Sequence, residues 1–124
     1  MPGRVLIATA DPRLKGLLVP LLEGAGFEPV VAPSLVDAVK KLEEGAPTLI
    51  VLDKEQPQGQ SAFVFLRTMA AKGDETPVVF AVSGTSPEDL LACFRLGAAE
   101  VIRKPARAGA VKAVLSRVLK AQEG

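Results

Sequence analysis

Short, largely apolar blocks alternate along the chain with longer stretches whose apolar positions recur every three or four residues. The blocks lie at residues 4–8, 27–32, 48–53, 78–82 and 99–103. The run from Thr48 to Leu52 is unbroken and rich in branched side chains, which predicts a strand buried on both faces, the mark of a parallel sheet covered by helices. The helical spacing of Leu14, Leu17, Leu18 and Leu21 predicts the core face of a first helix. Leu35, Ala38, Val39 and Leu42 do so for a second, and Ala62, Leu66, Met69 and Ala70 for a third. Leu90, Leu91 and Phe94 face inward on a fourth, and Val111, Val114, Leu115 and Val118 on a fifth.

The punctuation agrees with this pattern. Asp11-Pro12 supplies an N-cap and a proline at the first helical position, Ser34 to Asp37 resembles a capping box, and Ser61 can cap the third helix. Ser86-Pro87-Glu88-Asp89 combines cap, proline and two acids in one helix start. Gly24-Ala25-Gly26, Gly45 and Gly97 mark helix ends. Pro20 breaks the rule inside the first helix and predicts a kink, with Gly16 leaving room beside the carbonyl that the ring crowds. Pro29 cannot donate to a ladder, so the second strand belongs at an edge. The fourth strand is expected to end at Ser83-Gly84, and the tail from Gln122 to fray. Strand and helix alternate five times without a repeat. The expectation is one domain over residues 1–124, with its core over about 4–120: an α/β doubly wound five-stranded parallel sheet with five helices on its two faces.

Composition removes several chemistries. The chain has no histidine, which excludes Ser-His and Cys-His catalysis and histidine-ligated metals. Cys93 is alone, so an internal disulfide and most thiolate metal sites are excluded too. No apolar block approaches the length of a membrane span and no signal-peptide pattern opens the chain, so a cytoplasmic protein without membrane contact is expected. The net charge of +1 does not argue for nucleic acid. No glycine-rich phosphate loop follows the first strand, where Asp11-Pro12 stands instead, which disfavours a nucleotide-binding enzyme.

The block 48–53 ends in a carboxylate, Asp53, and ligands of such sheets sit beyond the strand C-termini. A loop aspartate is commonly a turn or helix cap. The neighbouring motifs set a different context. Gly26-Phe27-Glu28-Pro29-Val30, the strand ending in Asp53, then Pro57, Gly59, Phe63 and Leu66-Arg67, and finally Gly97 to Pro105 around Lys104-Pro105, occur in order at characteristic spacings. From Arg4 to Lys120 the chain resembles the receiver domain of two-component response regulators, a flavodoxin-like fold with strand order 2-1-3-4-5. The resemblance implies that Asp53 is the phosphoacceptor position and Lys104 its lysine partner. It places the switch hydroxyl at Ser83 when counted from Asp53, or the equivalent position at Val82 when counted from Lys104, with Ser83 favoured.

Other positions depart from the family. The adjacent acids that hold Mg²⁺ there correspond to Thr9 and Ala10 here, with Asp11 at a commonly acidic neighbouring position. The switching aromatic corresponds to Val101, and the Phe that often follows the Lys-Pro pair to Ala106. Glu55 is expected to be solvated, and Lys54 to be a snorkelling surface lysine. The pattern resembles pseudo-receivers: a non-enzymatic signalling domain without metal or cofactor, docking to a protein partner independently of phosphorylation. The alternative is a working receiver, phosphorylated on Asp53 by a histidine kinase with low efficiency and using Mg²⁺. Seven cations from Arg95 onward, against Glu100 and Glu123, predict a basic docking face of Arg103, Lys112, Arg117 and Lys120 for an acidic partner. The resemblance adds a possible homodimer through the fourth helix, fifth strand and fifth helix.

Overall fold

The computed structural model describes residues 3–83 and 86–123, with side chains described through Lys120. Strands β1 (Arg4–Ala8), β2 (Glu28–Ala32), β3 (Leu49–Asp53), β4 (Val78–Ser83) and β5 (Glu100–Lys104) alternate with helices α1 (Pro12–Gly24), α2 (Leu35–Glu44), α3 (Ala62–Ala71), α4 (Pro87–Arg95) and α5 (Ala108–Glu123). All strand pairings are parallel, in the order β2-β1-β3-β4-β5. Every β3 residue is buried, as a central strand covered on both faces requires. The edge position of β2 leaves Pro29 free of a second ladder.

The sheet divides the core in two. Leu6, Ile50, Leu52 and Phe80 face α2, α3 and α4, joining Ala38, Phe65, Met69 and Cys93. Ile7, Val51, Val79 and Ile102 face the other way, against Leu14, Leu18 and Leu22 of α1 and Val111, Val114, Leu115 and Val118 of α5. Burial pushes the Cys93 thiol up, which keeps it neutral inside the first layer.

Local signals act where the chain places them. Asp11, Ser34, Ser61 and Ser86 each accept a backbone N–H in the first turn of the helix they precede. Gly26 (φ 87°) and Gly97 (φ 96°) hold the left-handed residue of two helix ends. There the following N–H reaches back, from Phe27 to Leu22 and from Ala98 to Cys93, closing the last turns of α1 and α4.

Several expectations need correction. The inward row of α1 is Leu14, Leu18 and Leu22, with Leu17 and Leu21 only half-buried. One helix runs through Pro20. On α2 Val39 is exposed, and on α3 Phe65 replaces Ala70 in the core. On α4 the buried residue is Cys93, while Leu91 (50 %) and Phe94 (48 %) face solvent. The last helix continues through Glu123 where fraying was expected. Gly84, expected to close β4, and Gly124 of the tail lie outside the described residues.

Candidate functional site

Parallel strands in register bring Asp53 at the end of β3 beside β1 on one flank and β4 on the other. Alternation turns Asp53 to the α1/α5 side, the side shared by Val51, and the same parity carries Thr9, Ser83 and Lys104 there. Asp53 is 1 % exposed. Both of its oxygens are engaged. Lys104 Nζ donates to Oδ1 at 2.8 Å and the Glu55 N–H to the same oxygen at 3.0 Å, while the Thr9 hydroxyl donates to Oδ2 at 2.6 Å. Thr9 Oγ1 in turn accepts the Asp11 N–H, which fixes its rotamer and aims its proton at Asp53.

Among the described residues, Lys104 is the only cation that meets more than one carboxylate. Its ammonium lies 2.8 Å from Asp53, 2.9 Å from Glu55 Oε2 and 3.7 Å from Asp11 Oδ2. The bridge between Glu55 and Ser61 folds the loop after β3 back on itself, and Glu55 Oε1 accepts the Ser83 N–H. Beneath it the buried Gln56 amide donates to the main-chain carbonyls of Asp53 and Ala8, tying the ends of β3 and β1 together.

These contacts set the protonation states. Desolvation would raise the Glu55 carboxyl, but its bonds from Lys104 and the Ser83 N–H prevail and hold it down at about 2. Burial is the largest influence on Asp53 and lifts it above the ordinary carboxylate value, although Lys104 and Thr9 pull the other way. Desolvation opposes the charge on Lys104, but the two carboxylates outweigh it and raise its pKa. Bonds from its partners favour the charge on the exposed Glu55, whereas burial works against the charge on Asp53.

The structure therefore brings Asp53, Lys104, Thr9 and Ser83 to one cleft, with Ala10 exposed at its edge. Ser83 pairs with Lys104 in the sheet and lines the cleft mouth beside Asp11 and Arg13, while Val82 points into the opposite core layer. Glu55 is exposed, as expected, and it also bonds Lys104 and the Ser83 N–H at the site. Its sequence signal was limited to standing two residues after Asp53. Lys54 is likewise more than a snorkelling lysine: Nζ lies 2.8 Å from Asp89 on the first turn of α4 and 6.0 Å from the Phe63 ring centre. Val101 packs into the α4-side layer near Phe80. Arg103, Lys112, Arg117 and Lys120 are all exposed but do not form one face. Arg117 pairs with Glu100 beside β5, whereas Lys112 and Lys120 flank a groove toward α1. The 140° between positions 112 and 117 on a helical wheel follows from about 100° per residue.

A 2-1-3-4-5 parallel sheet with an aspartate and a lysine meeting at the ends of β3 and β5 defines a receiver-type domain. The chain belongs to the response regulator receiver domain family, whose model matches residues 5–116. It is 31 % identical over 123 residues to the phosphate regulon transcriptional regulatory protein PhoB of Klebsiella pneumoniae, a match covering 95 % of this chain and 54 % of that one. The chain thus spans about half the length of the curated relatives it matches first. Among solved structures, the Francisella response regulator 1452 receiver domain superposes with a TM-score of 0.86 at 19 % identity, covering 97 % and 98 % of the two chains. Chemotaxis response regulator CheY4 of Vibrio cholerae gives 0.84 at 23 %, covering 95 % and 99 %. At these identities the structural likeness is one of fold. Among the described residues no helix is long and apolar enough to cross a membrane.

Proposed function

We propose that this receiver domain signals by docking to a protein partner without a phosphorylation cycle at Asp53. The observation carrying the reading is the 2.6 Å hydrogen bond from the Thr9 hydroxyl to Asp53 Oδ2. A neutral donor stands where the family pattern has an acid, and it satisfies the oxygen that would otherwise face a cation. The domain's own groups then complete the shell of Asp53.

The Mg²⁺ that the family implies wants a near-octahedral oxygen set with one or two carboxylates free to bind it. Here Asp53, Glu55 and Asp11 already converge on the Lys104 ammonium, and the two positions where the family pattern has its metal-holding acids carry Thr9 and Ala10. The donor set does not fit the ion. Without a divalent cation, Lys104 alone would oppose the nearly two negative charges that a phosphoryl group adds.

The docking role is non-enzymatic, and its proposed surface is the α4–β5–α5 side. Leu91 and Phe94 are exposed on α4, as are Arg103 on β5 and Arg117 on α5. This is also where a homodimer would form. The 2.8 Å contact between Asp53 and Lys104 favours a second reading, a receiver phosphorylated inefficiently on Asp53.

Thermal melting across millimolar Mg²⁺ separates the two. The docking reading expects an unchanged melting temperature for the parent and a rising one for the T9D/A10D variant, which restores both acids. A metal bound only by the native state adds about 2.7 kcal/mol at a hundredfold excess over its dissociation constant. A rise in the parent that disappears in Asp53→Asn favours the second reading.

A further inference from the structure

The groove between α1 and α5 lies on the opposite side of α5 from Arg117 and Glu100. It has a volume of about 530 Å³, and Leu21, Phe27, Leu115 and Leu119 contribute apolar side chains to its lining. Among the described residues that line it, Lys112 and Lys120 are the only charged ones. They stand eight residues apart on α5, about 12 Å at 1.5 Å per residue. Neither joins an ion pair among the described residues, in contrast to Arg117, whose guanidinium is engaged by Glu100.

We infer that this groove receives an amphipathic helix of a partner protein, with apolar side chains on one face and carboxylates about two turns apart along its flank. A concave apolar trough is the receptor geometry for a helix presenting anchors at i, i+3 or i+4 and i+7. The two unengaged ammoniums select an acidic partner and reject a basic one through like-charge contact. A flat anionic surface satisfies the lysines but leaves the apolar lining, Leu21 and Leu115 among it, without a partner. The inference rests on the docking reading and assigns it a second surface, remote from the Asp53 cleft and from α4.

The test is selection of a displayed library of helical peptides on the intact domain. The expected winners carry apolar residues at helical spacing and two or more flanking Asp or Glu. Their affinity should fall about tenfold or more in the K112E/K120E variant and weaken with added salt. It should be unchanged in the L91S/F94S variant, which alters only the α4 surface. Leu119→Asp serves as a second groove variant, and circular dichroism melting confirms that each variant is folded. Winners that are basic, indifferent to both groove variants, or sensitive only to L91S/F94S overturn the groove while leaving docking as such intact. So does the absence of any winner, or binding of the domain to phosphatidylserine vesicles that K112E/K120E abolishes while peptides fail. Phosphorylation of Asp53, measured separately, is what would overturn the docking reading itself.

Discussion

Thr9 donates to Asp53 from a position where the family pattern has an acid. Thr9→Val keeps the shape and removes the donor to Asp53 Oδ2, leaving a buried acceptor unsatisfied, which costs about 1–3 kcal/mol. Thr9→Ser should retain most of that stability, and urea denaturation compares the two. Lys104→Met removes the cation from an aspartate that is 1 % exposed. Losing one partner of a buried pair costs about 3–5 kcal/mol, and proton uptake by the raised Asp53 carboxyl moves the loss to the low end. The pH dependence has a sign for each group. Glu55 is depressed from 4.5 to about 2, so its contribution is present above 4.5 and is lost as the pH falls toward 2. Asp53 is raised, so it acts oppositely and gains stability as it takes up a proton. Lys104 is raised, so its contribution is whole below 10.5 and lost as the pH climbs through its folded value. Glu55→Gln should flatten the acid limb of a melting-temperature profile between pH 2 and 5. An unchanged slope would contradict the ion pair, whose half-exposed acid makes the effect modest. The meeting of Asp53 and Lys104 was legible through the family resemblance, which sets an aspartate at the end of the third strand and a lysine at the end of the fifth. The roles of Thr9 and Glu55 were not. A threonine at an acid's position announces only a lost charge, and which way a loop glutamate turns depends on the Glu55–Ser61 bridge.

At the scale of elements, composition overdetermines the helices and the sheet chooses among their faces. Helix α1 carries leucines at 14, 17, 18, 21 and 22, a band wider than one contact stripe, and packing against Ile7, Val51 and α5 selects the row 14, 18, 22. Helix α4 has Leu90, Leu91, Cys93 and Phe94 within nine residues, so periodicity alone could not orient it. The small Cys93 goes inward beneath Val101 and Phe80, and the larger Leu91 and Phe94 are left outside. Leu18→Ala should therefore cost about 2–5 kcal/mol. Leu91→Ser and Phe94→Ser should each stay within about 0.5 kcal/mol of the parent. Chemical denaturation of the three variants checks the assignment, and a large loss at Phe94 would return α4 to the orientation read from its sequence. The caps and stops needed no such choice: Asp11, Ser34, Ser61 and Ser86 act within one turn of themselves, so local sequence sufficed.

For the whole molecule, the alternation of apolar blocks and amphipathic stretches carried the fold, because a parallel sheet covered on both faces leaves little freedom of order or handedness. What the sequence could not resolve was the division of its basic residues, since Lys112 and Arg117 part company only when α5 is seated on the sheet. We propose that Asp53 serves as a structural anion, held by Thr9 and Lys104, and not as a reacting group. Intact-mass analysis after incubation with acetyl phosphate and Mg²⁺ tests this most directly. The parent should keep its mass under conditions in which the T9D/A10D variant gains one phosphoryl group. A phosphoaspartyl adduct on Asp53 of the parent at substantial occupancy, lost in Asp53→Asn, would contradict it.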